Sequence, residues 1–259
     1  MLPLSVIITT HNEADNIRGV LASVAWAQEV IVVDSYSTDG TKKIAKSLGA
    51  TVWERAYQGP AEQKNWAIPR ASFAWVLILD ADERVTENLR IEIQEIVKNQ
   101  PLKDAYWIRR QNHFMGKRVR YSGWQGDKVI RLVRRDRGRY QQKQVHEEIE
   151  TVGLQVSTLQ QPLLHFTFKN VAHYLAKIER YAIWSAQDHF HKTPRVTFFH
   201  LYLKPLFRFC KHYFWQLGIL DGQVGFIISR LMAWGVFLRY WKIKEMREKN
   251  GSDQKSEVR

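Results

Sequence analysis

The sequence is poor in several features that would each have indicated a function class. It has one cysteine, Cys210, in 259 residues; this excludes an internal disulfide framework and suits a reducing compartment. Neither Gly-x-Gly-x-x-Gly nor Gly-x-x-x-x-Gly-Lys-Ser/Thr occurs, which argues against dinucleotide-dependent enzymes and P-loop NTPases. No apolar run reaches the roughly 18 residues of a membrane span, because Lys204, Arg208, Lys211, Asp221, Arg230 and Arg239 interrupt the C-terminal stretch. The first apolar run, Leu4 to Thr10, has no basic leader and passes straight into His11-Asn12-Glu13, so it reads as a strand and not as a signal peptide. No internal repeat is present.

What is present is enough for a core. Hydrophobic residues make up 45% of the chain and aromatics 12%, which rules out disorder as a whole and fits one large domain or two small ones. The 39 Lys and Arg against 26 Asp and Glu leave a net charge of +13. Its distribution is uneven: residues 1–100 carry 10 basic and 13 acidic groups, 101–145 carry 13 and 3, 146–199 carry 5 and 5, and 200–259 carry 11 and 5. An acidic first part therefore meets two basic zones. Such zones suit a polyanion, whether nucleic acid, an anionic membrane or a phosphorylated substrate, or a merely solvated basic surface.

The first hundred residues alternate β-type and helical patterns. Leu4–Thr9, Val30–Asp34, Ala50–Trp53 and Trp75–Leu79 read as strands, and Ala14–Trp26, Thr41–Leu48 and Ala61–Ile68 read as helices. Strands separated by helices predict an α/β fold with a mostly parallel, doubly wound sheet. Ligands of such sheets bind beyond the C-terminal strand ends, so Thr10, Asp34 and Asp80 are expected to converge on one crevice. From Asp104 the texture changes to strands and loops (Ala105–Arg109 and Val129–Val133). After His165 it changes to helices, Asn170–His191 and Val196–Glu248, interrupted near Pro194, Pro205 and Gly218–Gly225. The expected division is a donor half over 1–103, an acceptor and catalytic half over 104–166, a helical extension over 167–249 and a disordered tail over 250–259. In the extension, 13 aromatics fall within residues 196–241, beside a basic stripe of His200, Lys204, Arg208 and Lys211. That combination suits an interfacial membrane helix; its other reading is an ordinary helical subdomain whose aromatics are core.

The chemistry concentrates at strand ends. Leu77-Ile-Leu-Asp80-Ala-Asp82 delivers two carboxylates at the end of an apolar strand, hard oxygen ligands suited to Mg²⁺ or Mn²⁺ bound with phosphates. Thr10, Asn12 and Glu13 after the first strand, and Asp34 after the second, could hydrogen-bond a nucleotide; Thr10 and Asn12 could equally cap a helix. Asp127 is the sole acid between Asp104 and Asp136, either a general base or a salt-bridge partner of Arg131 or Lys128. His146 follows a basic loop and could ligate a metal.

Four blocks, Ser5–Glu13, Val32–Thr41, Gln63–Ala67 and Leu79–Glu83, together resemble the nucleotide-sugar domain of family 2 inverting glycosyltransferases with the GT-A fold. Gly123–Arg135, Val145-His-Glu147 and Leu220-Asp-Gly222 are similar to the bacterial lipopolysaccharide inner-core branch of that family, whose members add glucose to a core heptose. The resemblance implies a UDP-sugar donor contacted by Thr10, Asn12, Glu13, Asp34, Lys64, Asp80 and Asp82, with Asp34 on the base. It implies a divalent metal held by Asp82 and His146, and Asp127 as the base. Gly126 stands where this branch often has proline. His165, Lys177, Arg180 and Tyr181 would line the acceptor or phosphate side. The implied partners are a phosphorylated, lipid-linked core oligosaccharide and an anionic membrane, with the protein peripheral on the cytoplasmic face of the inner membrane and no nucleic acid bound. Transfer to a polyprenyl phosphate or another surface polysaccharide, and nucleic-acid binding by a basic protein, are the alternatives. The oligomeric state is not set by the sequence.

Overall fold

A computed structural model describes residues 1–99, 102–141, 148–168 and 171–256. Among the described residues ten strands, β1 (Leu2–Thr10), β2 (Ala27–Asp34), β3 (Thr51–Glu54), β4 (Trp75–Asp80), β5 (Glu83–Val85), β6 (Ala105–Phe114), β7 (Lys117–Arg118), β8 (Lys128–Arg134), β9 (Val156–Thr158) and β10 (Leu163–Phe168), form a sheet ordered β3-β2-β1-β4-β8-β6-β10-β5, with β7 and β9 pairing with β6. The helices are α1 (Ala14–Ser23), α2 (Thr41–Ser47), α3 (Pro60–Ala67), α4 (Glu87–Asn99), α5 (Val171–Phe190), α6 (Lys204–Cys210) and α7 (Gly222–Ser256). The mixed α/β architecture with a C-terminal helical part agrees with the sequence expectation. The parallel portion is β3-β2-β1-β4; β8 then runs antiparallel to both β4 and β6.

Two compact units divide the chain. Met1–Gln111 with Asp127–Phe166 form the first, and Asn112–Gly126 with Thr167–Arg259 form the second. This differs from the expected division, which kept 112–126 with the acceptor half. The reason is packing: Phe114 and Val119 are buried in one cluster with Tyr174, Val224 and Ile228, and Trp124 packs against it. Asp221 accepts from the backbone N–H groups of Arg120 and Tyr121 at 2.9 and 3.0 Å and from the Ser122 hydroxyl at 2.8 Å.

In the first unit the strands are apolar on both faces, as a sheet covered on both sides requires. Val6, Ile8, Leu77 and Leu79 enter one core with Ile17 and Val20 of α1 and Leu89, Ile93 and Val97 of α4. Ile7, Val76 and Ile78 enter the opposite core with Ala61 and Ala67 of α3. Each such fully buried aliphatic side chain contributes about 1.5–3 kcal/mol, so the register of β1 against β4 is strongly fixed.

In the second unit, Phe199–Leu203 and Lys211–Trp215 are single π-helical turns on either side of α6. Leu217 takes a left-handed conformation (φ 57°), a 3₁₀ turn Gly218–Asp221 follows, and α7 begins. Pro205 sits in the first turn of α6, where its missing N–H is harmless, and does not end the helix. Gly218–Lys249 is long and apolar enough to cross a membrane by length and composition, with mean hydropathy 1.2 over its best window. The expectation that charges excluded every such segment is thus corrected: a window tolerating two charges replaces the unbroken run. α7 also continues to Ser256, into the tail expected to be disordered, because extending an existing helix adds a hydrogen bond per residue with no new nucleation.

Candidate functional site

The register brings the strand ends together as expected. Thr10 is the neighbour of Asp34 across β1 and β2, and Thr9 is the neighbour of Asp80 across β1 and β4. Thr9 Oγ1 donates to Asp80 Oδ1 at 3.0 Å. The Thr10 hydroxyl is buried without a hydrogen-bond partner among the described residues.

The loops beyond β1 and β2 hold each other. The Asn12 backbone, at φ 55°, donates to Ser37 Oγ at 2.8 Å, and Asn12 Oδ1 accepts from the Thr38 N–H at 2.8 Å. The Glu13 N–H donates to Thr41 Oγ1, and Glu13 Oε2 accepts from the Asn16 side chain. Asp34 is fully buried, and both its oxygens accept from Ser37, one from the backbone and one from the hydroxyl. Its carboxylate therefore shapes the turn. Ser35 and Tyr36 are the residues that follow it, Ser35 Oγ accepting from Gln63 and Tyr36 exposed with φ 58°.

Asp80 stands at the centre of a network that sequence reasoning missed. Lys64, 1% exposed, places Nζ 3.1 Å from Asp80 Oδ1 and lies over the Tyr140 ring. Arg131, also buried, reaches Asp80 Oδ2 and Glu83 Oε1, the latter at 2.8 Å. Glu83 is fully buried, accepts the Asp80 N–H at 3.0 Å, and lies 3.6 Å from Arg110. Arg110 in turn binds Asp127 through two parallel bonds, Nη2 to Oδ1 at 2.8 Å and Nε to Oδ2 at 3.0 Å. The chain Lys64, Asp80, Arg131, Glu83, Arg110, Asp127 alternates in sign and sums to zero. Burial would raise the Asp80 carboxyl, but Arg131 and Lys64, with Arg110 further off, hold it well below the usual range. Burial would equally lower the Arg131 pKa, and Asp80 and Glu83 overcome it. Asp127 is thus paired, as its alternative reading held, but with Arg110 and not with Arg131 or Lys128.

Asp82 lies outside that neutral chain. Its Oδ2 is 3.5 Å from His165 Nε2, and its backbone carbonyl accepts the Phe166 N–H at 2.9 Å. β5 and β10 create this pairing, with His165 opposite Glu83 in the ladder. Arg84 is stapled to the carbonyls of Ala81, Glu83 and Asn16. Burial lowers its pKa, while Asp82 and Glu13 raise it. Gly19 leaves the space for it, since a Cβ there would meet Arg84 Nε at 2.5 Å. Among the described residues no three His, Cys, Asp or Glu side chains group as a metal cage. Asp82 with His165 offers a carboxylate and an imidazole, a donor pair that fits a divalent ion whose remaining positions are filled by phosphate oxygens and water. His146 lies outside the described residues.

Much of the basic 101–145 zone is used internally. Besides Arg110 and Arg131, Arg135 and Arg139 donate to backbone carbonyls, and Arg134 and Arg137 pair with Asp136 and Asp104.

The sequence model described as Glycosyl transferase family 2 matches residues 5–155. Over 252 residues the chain is 27% identical to the lipopolysaccharide core biosynthesis glycosyltransferase LpsC of Rhizobium meliloti, covering 92% of this chain and 93% of that protein. It is 28% identical to an uncharacterized glycosyltransferase of Rickettsia typhi, covering 95% and 88%. Among solved structures, S. aureus TarS aligns with a TM-score of 0.45 and 16% identity over 95% of this chain and 91% of that one.

Proposed function

Because the chain belongs to glycosyl transferase family 2, we propose that this glycosyltransferase is an inverting, metal-dependent hexosyltransferase moving glucose from UDP-glucose to a heptose of a lipid-linked, phosphorylated lipopolysaccharide core. The observation that carries the reading is the linkage of two chemistries at one sheet edge: the Asp80–Asp82 strand end suited to a nucleotide diphosphate, and the Asp127 carboxylate tied to it through Glu83 and Arg110.

In this reading Thr10, Asn12 and Glu13 border the nucleotide, and Ser35 and Tyr36 meet the base on the turn built by Asp34. Asp80, partly exposed, accepts from ribose hydroxyls. Lys64 and Arg131 serve by keeping Asp80 ionised, within a six-residue chain that carries no net charge. Asp82 and His165 would hold a divalent cation, which when bound neutralises the diphosphate leaving group. Asp127 takes the proton of the acceptor hydroxyl as that oxygen forms its bond to the anomeric carbon. The bond from that carbon to the diphosphate oxygen breaks on the opposite face, and the oxygen keeps the electron pair. One carboxylate suffices, since the leaving group departs without a proton. Arg110 holds the Asp127 carboxylate aligned before the acceptor arrives.

The relationship to a lipopolysaccharide core enzyme supports the acceptor class and a place at the cytoplasmic face of the inner membrane. The exposed aromatics and basic residues of the second unit suit an anionic lipid surface. The test is UDP release on incubation with UDP-glucose, Mg²⁺ or Mn²⁺ and a heptose-bearing core acceptor, with product anomeric configuration read by NMR. No release across nucleotide sugars and core acceptors would sink the reading. Release only with polyprenyl phosphate would move it to the alternative acceptor.

A further inference from the structure

Among the described residues, the helical unit holds two arginines without an ion pair, and Arg208 has the buried Tyr174 as an electrostatic neighbour. Between Asp188 and Glu245 the only acid is Asp221, and its carboxylate is taken up by Arg120, Tyr121 and Ser122. In the same segment Arg208 of α6 and Arg239 of α7 are half-buried on packed helices. The Nε atoms of both are buried with no acceptor, and neither guanidinium has an ion pair among the described residues. Burial, and next the charge of Arg239, pull the Arg208 pKa below its ordinary value. One turn before Arg208, Lys204 donates to Tyr240 Oη at 2.7 Å, the residue after Arg239, so a third cation borders the pair. In the same segment Phe207, next to Arg208 in sequence, and Trp215 are 59% and 68% accessible, with ring centres 5.5 Å apart.

Two like charges held together in a partly desolvated place repel, and buried charge needs a partner. A planar guanidinium pair fits the oxygens of a phosphate through forked hydrogen bonds. The exposed aromatics of this segment are suited to the boundary between head groups and acyl chains. We propose that Arg208 and Arg239 form a discrete site for the phosphate head group of an anionic lipid, with Lys204 at its edge. The site rests on the reading of this unit as a lipid-facing surface and adds a defined position to what would otherwise be diffuse attraction.

The experiment is sedimentation of the full-length protein with phosphatidylcholine vesicles, with and without phosphatidic acid. The variants are Arg208→Gln, Arg239→Gln, their double, Arg208→Lys, and Arg230→Gln as a control for an exposed charge in the same unit. Diffuse attraction predicts a loss of about fivefold for any one arginine. A shared phosphate predicts about 30-fold or more for Arg208→Gln or Arg239→Gln, with the double variant little weaker than either single because the two act on one ligand. Arg208→Lys keeps the charge but loses the fork, and is expected to fall almost as far as Arg208→Gln. Without vesicles, removing one of two repelling charges should leave the melting temperature equal or higher; a clear drop would make the pair a structural element and overturn the site. Equal, additive losses including Arg230→Gln would overturn the site and leave the lipid-facing reading standing. Wild-type protein that ignores anionic vesicles would overturn both, and if inorganic phosphate then raised its melting temperature and not that of the variants, the ligand would be soluble phosphate and not a lipid.

Discussion

Arg110 grips Asp127 at both ends: its guanidinium makes two bonds to the carboxylate, and its backbone N–H donates to the Asp127 carbonyl at 2.9 Å. The antiparallel register of β6 and β8, with Arg109 opposite Lys128, puts the two residues side by side. This clamp fixes the backbone at Asp127. If Asp127 is the base, Asp127→Asn should keep UDP binding measured by calorimetry and lose about 10²–10⁴-fold in kcat. An Asp127→Asn enzyme with wild-type turnover would remove the residue from that role.

Glu83 joins the two ends of the charged chain, so Glu83→Gln should act on both. It leaves Arg131 and Arg110 each short of half a partner in a buried place, and breaking such a pair typically costs about 3–5 kcal/mol. Urea denaturation should report a loss in that range. If protein remains folded in the assay, kcat should fall more than KM for the donor rises, because Arg110 loses one of the carboxylates that aim it at Asp127.

The Asp82 and His165 pair yields a test that separates metal from nucleotide. Asp82→Ala should abolish the part of UDP binding that depends on Mn²⁺, and His165→Ala should weaken it by about tenfold or more. Residual UDP binding in EDTA should be the same in the wild type and both variants. Unchanged Mn²⁺ dependence in Asp82→Ala would exclude the pair as the metal position.

The parallel strands and their meeting point were legible because apolar runs and helical spacings alternate through the first hundred residues and short polar residues end each strand. The helix α4 is harder to see in the sequence, although Leu89, Ile93 and Val97 repeat at helical spacing, because its many charges mask the stripe. The charged chain is not legible in local pattern, since it joins Lys64 of α3, Asp80 of β4, Arg110 of β6, Arg131 of β8 and Asp127 just before β8. Only register makes Arg110, and not the sequence neighbour Lys128, the partner of Asp127. His165 is expected on the acceptor or phosphate side, but its place beside Asp82 depends on the three-residue strand β5, too short to leave a periodic signal.

Asp80 gives the fold a defined response to acid. Its folded pKa lies well below the ordinary value of 3.8, so its ionisation stabilises the folded state at all pH above the unfolded value. That contribution is lost as pH falls from about 4 through the folded pKa. Asp80→Asn should be less stable than wild type at pH 7, because Lys64 and Arg131 lose a partner, and its stability should change less steeply below pH 4. Parallel wild-type and variant curves in urea between pH 4 and pH 2.5 would show that Asp80 does not carry the acid response.

Gly225 offers a test of the second unit in which two opposing effects differ in size. In an ordinary helix, Gly→Ala gains up to about 1 kcal/mol. At Gly225 of α7, an added Cβ would lie 1.8 Å from the Gly218 carbonyl oxygen and 2.9 Å from the Asp221 Cβ. The obstructing atom is backbone, held in the 3₁₀ turn before the helix, so it cannot swing aside. Overpacking of this kind costs about 1–3 kcal/mol, occasionally more, and with a backbone carbonyl at that distance the upper part of the range applies. Gly225→Ala should therefore lower the urea midpoint despite its better helix propensity. The 3₁₀ turn places Asp221, so the same substitution should also loosen the 120–122 backbone, read as faster amide exchange at Arg120 and Tyr121, the donors to Asp221. A variant as stable as wild type with unchanged exchange at those two amides would mean the close approach of Gly218 and Gly225 is not needed to hold the unit together.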